Sequence, residues 1–185
     1  SNVQNVNILG REGDRCEAYQ PAIGLNPEEI GNIQRYLDAV RSNLLFAKSV
    51  LLVEGDAEEI LVPILIKNVL GVSLDELGIS LINIRSTGFQ NVAVLFDDAR
   101  IRKRCSIVTD LDKSIIDTTP AAGDSEGVRR RKGKYQASQE KGVARKALLE
   151  DTFKDNGWVS PFFAPHTFEV DFIAAGNARK VVGIL

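Results

Sequence analysis

The chain has no methionine, one histidine and only two cysteines. Cys16 and Cys105 cannot make up a metal-ligand set, and their spacing fits no zinc module, so the free thiols of a cytoplasmic protein are expected instead. No apolar run approaches the length of a bilayer span and no signal peptide is visible, so no membrane-spanning helix is expected. The pattern Gly-x-x-x-x-Gly-Lys-Ser/Thr is missing too, which excludes an ATP site of that type. Nor is positive charge in excess. Lys and Arg number 23 against 25 Asp and Glu, a formal net charge of −2, so the total carries no nucleic-acid signature and any basic patch must be local. What is present is a 44% apolar fraction over 185 residues, enough for the core of one domain, or of one domain with an insertion. The chain opens Ser-Asn rather than with Met, and a piece of a longer protein is the expectation.

Two short apolar runs stop abruptly at carboxylates. In SVLLVEGDAEE, from Ser49 to Glu59, the run Val50 to Val53 reads as a buried strand that ends in a turn at Glu54-Gly55. Asp56 then reads as a helix N-cap, with Glu58 and Glu59 in the first turn, where the helix dipole favours negative charge. In CSIVTDLD, from Cys105 to Asp112, Ile107 and Val108 lead to Asp110 and Asp112. If the chain stays extended, residues two apart share a face, so both Asp carboxylates point the same way. In open α/β sheets ligands sit outside the carboxyl ends of the strands, so three or four carboxylates are expected to meet at one edge. Like charges at that spacing repel, and a divalent cation removes the penalty. Hard oxygen ligands suit Mg2+ or Mn2+, and Mg2+ works typically with phosphate groups. A Glu at the end of a buried strand also suits a general acid or base, which makes Glu54 the catalytic candidate.

Hydrophobic strand, Glu54-Gly55-Asp56-Ala57-Glu58, then hydrophobic strand and Asp110-Leu111-Asp112, resembles the TOPRIM fold of topoisomerases, bacterial primases and several nucleases. The wording around it, LLFAKSVLLVEGDAEEILVPIL followed by IRSTGFQNV, resembles the nuclease half of the OLD (overcoming lysogenization defect) family, and the later HTFEVDF resembles that family's additional acidic motif. The resemblance runs roughly from Asn26 to Ala175 and implies a TOPRIM, Rossmann-like parallel sheet flanked by helices, with an inserted or appended helical segment. It selects Glu58 over Glu59 and adds Glu169 to Glu54, Asp110 and Asp112 as metal ligands. It implies a two-metal endonuclease acting on double-stranded DNA, with a role in phage defence or DNA repair. It also implies an upstream ATPase domain of the same chain and a helicase partner. Because the family's dimerisation is attributed to that upstream half, a monomeric piece is implied here. Ser160, Thr167 and Lys180 are second-tier candidates by residue type, and His166, beside the last motif, reads as a surface or supporting residue. No tyrosine stands in a context that suits a covalent strand-passage mechanism.

Along the rest of the chain, residues 1–48 read as a lead-in, with a strand or two before Gly24 and a helix from Leu25 to Phe46 that opens on Asn26-Pro27-Glu28-Glu29. Residues 49–185 read as the catalytic domain. Helices are expected at Ala57–Leu70, Gln90–Arg100, Gln139–Lys154 and from Thr167, and strands at Ile79–Ile84 and Trp158–Phe163. Strands alternating with helices argue for a parallel sheet. Ser86-Thr87-Gly88 reads as a turn on the same edge as Glu54. Residues 113–138 read as a long mobile loop. Its run Arg129, Arg130, Arg131, Lys132 and Lys134 is either a solvated surface or a contact to a phosphate backbone. Two other functions are compatible with parts of the sequence. Asp110-Leu111-Asp112-Lys113-Ser114 mimics the nucleophile motif of haloacid-dehalogenase-type phosphatases but leaves Glu54 to Glu59 unexplained. A non-catalytic, nucleic-acid-binding TOPRIM module leaves the complete acidic set unexplained.

Overall fold

The computed structural model describes residues 2–37, 44–85 and 88–183. It falls into two compact units, Ser1–Ile107 with Thr152–Pro161, and Val108–Asp151 with Phe162–Leu185. The chain opens with a hairpin of β1 (Ile8–Glu12) and β2 (Arg15–Tyr19), antiparallel from Ile8↔Tyr19 to Glu12↔Arg15. Helix α1 (Pro27–Tyr36) starts as its sequence requires. Asn26 accepts from the Glu29 N–H, Glu29 accepts in return from the Asn26 N–H, and Pro27 takes the first position, where no N–H is needed. The helix expected to reach Phe46 ends at Tyr36, with Leu37 as its C-cap; Val40 lies outside the described residues. The Tyr36 hydroxyl instead donates to the Asn83 carbonyl (3.2 Å).

A four-stranded sheet follows, in the order β4-β3-β5-β6, built from β3 (Ser49–Val53), β4 (Ile79–Asn83), β5 (Arg104–Asp110) and β6 (Val159–Ala164). β3 pairs in parallel with β4 from Ser49↔Ile79 to Val53↔Asn83, and with β5 from Ser49↔Arg104 to Leu52↔Ile107. β5 and β6 also run the same way, since Cys105 N–H donates to Trp158 O and Leu111 N–H to Ala164 O, both at 2.9 Å. After β3 the chain steps one way to β4, then returns past β3 to β5, so the strand order reverses between the two strands that bear the acidic motifs. Val50, Leu52 and Val53 are buried on β3, as are Cys105, Ile107 and Thr109 at alternate positions of β5. Each fully buried Val or Leu contributes roughly 1.5–3 kcal/mol.

Helix α2 (Asp56–Leu70) runs through Pro63 and stops at Gly71, whose φ of +73° is a left-handed C-cap conformation that glycine adopts without strain. It buries none of its residues and leaves Ile60, Ile64, Val69 and Leu70 exposed. The short helix α3 (Leu74–Leu77), capped reciprocally by Ser73 and Glu76, has too few residues for a periodicity to show in the sequence. The helix expected at Gln90–Arg100 is only α4 (Gln90–Ala93). Asp97 accepts from the N–H groups of Ala99 and Arg100, and the local turn it makes competes with helix. Leu95, Phe96 and Ile101 in this segment are fully buried and fill the core.

The larger correction concerns the segment read as a loop over 113–138. From Glu126 it is helical, and α5 (Glu126–Phe153) is 28 residues long. Its first half offers only Val128 and Tyr135 as larger apolar residues, both exposed, so nothing in the pattern announced a helix. Helices α6 (Phe168–Phe172) and α7 (Ala178–Val182) follow β6, joined by a π-type turn over Ile173–Asn177. Among the described residues no helix is long and apolar enough to cross a membrane.

Candidate functional site

In the first unit, Glu54 follows β3 directly and is half-buried. The N-cap of α2 is Gly55 rather than Asp56, with an extended backbone (φ −132°). A Cβ there would stand 2.8 Å from Glu58 Oε2, so the Glu58 carboxylate folds back over the glycine. Asp56 and Glu59 are held otherwise. Asn83, buried at the end of β4, donates through Nδ2 to Asp56 Oδ1 (2.7 Å) and Glu59 Oε2 (2.9 Å). Its Oδ1 accepts from the Arg85 N–H (2.9 Å) and supports Arg85 in a left-handed conformation (φ +51°), from which the guanidinium reaches Asp56 at 3.7 Å. One buried amide thus fixes the start of α2 to β4. The sequence signal for Asn83 was a lone amide closing an apolar strand. Gly88 has φ +86°, while Ser86 and Thr87 lie outside the described residues.

In the second unit, Asp110 closes β5 and Asp112 does share its direction, but not through the pleat of an extended strand. Asp112 has φ +51°, because the backbone turns there while Leu111 and Lys113 donate to the carbonyls of Ala164 and Pro165 (2.9 and 3.0 Å). Both carboxylates meet one guanidinium. Arg145 Nη2 lies 3.1 Å from Asp110 Oδ1, 3.6 Å from Asp112 Oδ2 and 2.7 Å from the Asp110 carbonyl. All three side chains are largely withdrawn from water, at 19–23% exposure. Helix α5 delivers Arg145 by close approach: a Cβ on Gly142 would stand 2.4 Å from the Leu111 carbonyl oxygen, so only glycine lets the helix backbone lie against the turn. One turn earlier Gln139 Oε1 accepts from the Ser114 N–H (3.2 Å). Gln139, Gly142 and Arg145, spaced three apart, therefore grip residues 110–114 from one helix face. Arg145 was not singled out by sequence, since it is one cation among many on a polar helix.

The remaining predicted residues lie on β6, α5, α6 and α7. Glu169 is exposed in the first turn of α6, whose N-cap is Thr167; Ser160 is half-buried in β6, and Lys180 is exposed on α7. His166 Nδ1 is 2.8 Å from Asp171 Oδ1, which assigns it a supporting contact. The basic run divides. Lys132 bonds the Thr119 carbonyl and Asp124 (2.9 Å each), and Arg129 reaches the Ala122 carbonyl (3.4 Å), so these two anchor the segment before α5. The Lys132 ammonium, with help from the Ala121 N–H, holds the Asp124 carboxyl below its ordinary range. Arg130, Arg131 and Lys134 are exposed. Burial pushes the Cys105 thiol well up, whereas Cys16 is exposed. Among the described residues, no three His, Cys, Asp or Glu side chains gather closely enough to hold a metal ion. Glu58 lies over Gly55, Asp110 and Asp112 meet Arg145, and Glu169 is exposed.

Residues 45–112, which include both acidic motifs, match the family model described as "Overcoming lysogenization defect protein-like, TOPRIM domain". The chain carries an OLD-like TOPRIM domain. Two solved structures of the C-terminal region of the Xanthomonas campestris pv. campestris OLD protein, phased with platinum and with mercury, are similar to it at 23% identity and a TM-score of 0.44. Each alignment covers 75% of this chain, and 60% and 62% of the respective solved chains, so this chain spans about three fifths of their length. No curated protein matches. An OLD-like TOPRIM domain is a nuclease-type module, and such domains bind divalent metals such as Mg2+. The donors offered by Glu54, Glu58, Asp110 and Asp112 are all hard carboxylate oxygens, which fit that class of ion.

Proposed function

We propose that this chain is the catalytic part of a metal-dependent endonuclease that hydrolyses phosphodiester bonds of double-stranded DNA. The observation that carries the reading is the convergence of Asp110 and Asp112 on one positive charge, held by a turn in which Asp112 adopts a left-handed backbone. Carboxylates fixed in this way are organised for a cation rather than for solvent. The strand order supports it as well. Ligands of open α/β sheets bind at the carboxyl edge where the order reverses, and that reversal lies between β3 and β5.

In this reading Asp110, Asp112 and Glu54 would hold one Mg2+ or Mn2+ ion, and Glu54, Glu58 and Glu169 would hold a second. When bound, such ions would lower the pKa of a water to make it a nucleophile and would neutralise charge on the leaving oxygen. The chain's own residues do the rest. Glu54 either bridges the two ions or serves as the acid or base at the attacking water. Ser160, Thr167 and Lys180 are secondary contacts. Arg130, Arg131 and Lys134 meet phosphates and position the duplex without reading sequence. On the cylinder of α5, Arg130, Lys134 and Lys141 fall in one stripe that points toward Arg145, and at 1.5 Å per residue the first and third are roughly 17 Å apart. The wider setting in this reading is an upstream ATPase domain in the same protein, a helicase partner, and phage defence or DNA repair.

Supercoiled plasmid incubated with Mg2+ or Mn2+ is expected to be nicked and linearised, and to stay intact with EDTA. Asp110→Ala is expected to cut at least about a hundredfold more slowly, since metal stabilisation of several kcal/mol is lost at about 1.4 kcal/mol per tenfold in rate. Cleavage that persists in EDTA, or in Asp110→Ala, sinks the reading.

A further inference from the structure

We propose that Arg145 is the resident counter-cation of the Asp110–Asp112 pair, and that a divalent ion must displace it to bind. The inference rests on the reading that these two carboxylates take a metal, and it assigns the residue that sets how tightly they do so.

Three observations lead there. First, the guanidinium lies 3.1 Å from one carboxylate and 3.6 Å from the other, with a further bond to the Asp110 carbonyl, so it occupies the position from which a cation would neutralise both. Second, all three side chains are mostly buried, so water and salt screen the interaction only partly. A doubly charged ion placed on the same oxygens would face the guanidinium at contact distance, and the two cannot share the pair without mutual repulsion. Third, Arg145 is delivered rather than incidental. Gly142 brings the helix backbone against Leu111, and Gln139 fastens Ser114, so the residue one turn beyond is aimed at the turn by the helix itself. An arginine that only neutralised surface charge would need no such docking.

The consequence is a protein whose acidic pair is neutralised from within before metal arrives. The repulsion of two carboxylates held close is already offset by Arg145, so a metal gains only the difference between its own attraction and that of the guanidinium. Arg145 is therefore a positioning residue whose removal should tighten metal binding while it loosens the metal-free fold. Ordinary structural damage moves metal affinity the other way.

The test is Mn2+ binding to the 185-residue chain, followed by electron paramagnetic resonance of the free ion and by the rise in Tm on adding Mn2+. Arg145→Gln is expected to bind Mn2+ at least about tenfold more tightly than the wild type, and to show a lower Tm without metal and a larger Tm gain with it. Arg145→Lys keeps the charge but not the planar fork, and is expected between the two. It also serves as the reading if Arg145→Gln fails to fold without metal. In an Asp112→Asn background, Arg145→Gln is expected to lose most of its effect. Equal or weaker Mn2+ binding by the Arg145 variants, with wild type binding normally, overturns the inference and leaves the metal reading standing. If neither wild type nor variants bind Mn2+, both fall together.

Discussion

Gly142 and Gly55 both lack a side chain because something lies where it would be, yet substitution should have opposite results. At Gly142 the obstacle is the Leu111 backbone, 2.4 Å from an added Cβ, and backbone cannot step aside. Gly142→Ala is expected to destabilise by about 1–3 kcal/mol through overpacking, against the roughly 0.5–1 kcal/mol that alanine brings to a helix interior. At Gly55 the obstacle is the tip of the Glu58 side chain at 2.8 Å, and the backbone already lies in a region open to any residue. Gly55→Ala should change stability by no more than about 1 kcal/mol, the size of an N-cap effect, while moving the Glu58 carboxylate and reducing metal-dependent cleavage. Denaturant unfolding and plasmid nicking on both variants check the pair; a larger stability loss at Gly55 than at Gly142 would contradict the argument. At this scale the sequence was only partly legible. Apolar strands that end in carboxylates pointed to Glu54, Asp110 and Asp112, but Arg145 and Gly142 sit in ordinary helix text. What makes them matter is a distant contact, which local pattern does not encode.

Helix α5 shows how an element can hide. Its first half offers few apolar residues and is mostly basic, so neither periodicity nor propensity distinguished it from a loop, and the helix was recognised only from Gln139 onward. Within it, neighbouring cations differ in duty. Lys132 is tied to Asp124 and the Thr119 carbonyl, whereas Lys134 is exposed. Lys132→Ala is therefore expected to loosen the segment before α5, seen as faster amide exchange over 119–130, with a smaller effect on DNA. Lys134→Ala should leave exchange unchanged and weaken DNA binding uniformly across sequences. It should also reduce the salt slope by about 0.9 for each phosphate the side chain no longer neutralises. If the two variants behave alike in both assays, the division is wrong.

For the molecule as a whole, the two cysteines report on integrity. Cys16 is exposed on the hairpin, while Cys105 is buried within β5 and its thiol is held protonated well above the ordinary range. A thiol reagent at neutral pH is expected to label one cysteine in the folded chain and both only after unfolding, because the thiolate is the reactive form. Rapid double labelling without denaturant would show that the sheet does not hold as described. The parallel sheet was legible because β3, β4, β5 and β6 announce themselves as short apolar runs between polar turns, a signal that depends on local burial alone. The division into two units was not, since it depends on which distant segments touch. Helix α5 also works as a ruler. Gln139, Gly142 and Arg145 hold the Asp-x-Asp turn, so adding seven residues upstream of Gln139, close to two full turns, would push the basic end roughly 10 Å outward and return it to nearly the same angular position. Reach of the basic end and attachment to the Asp-x-Asp turn are thus set by different stretches of one rod.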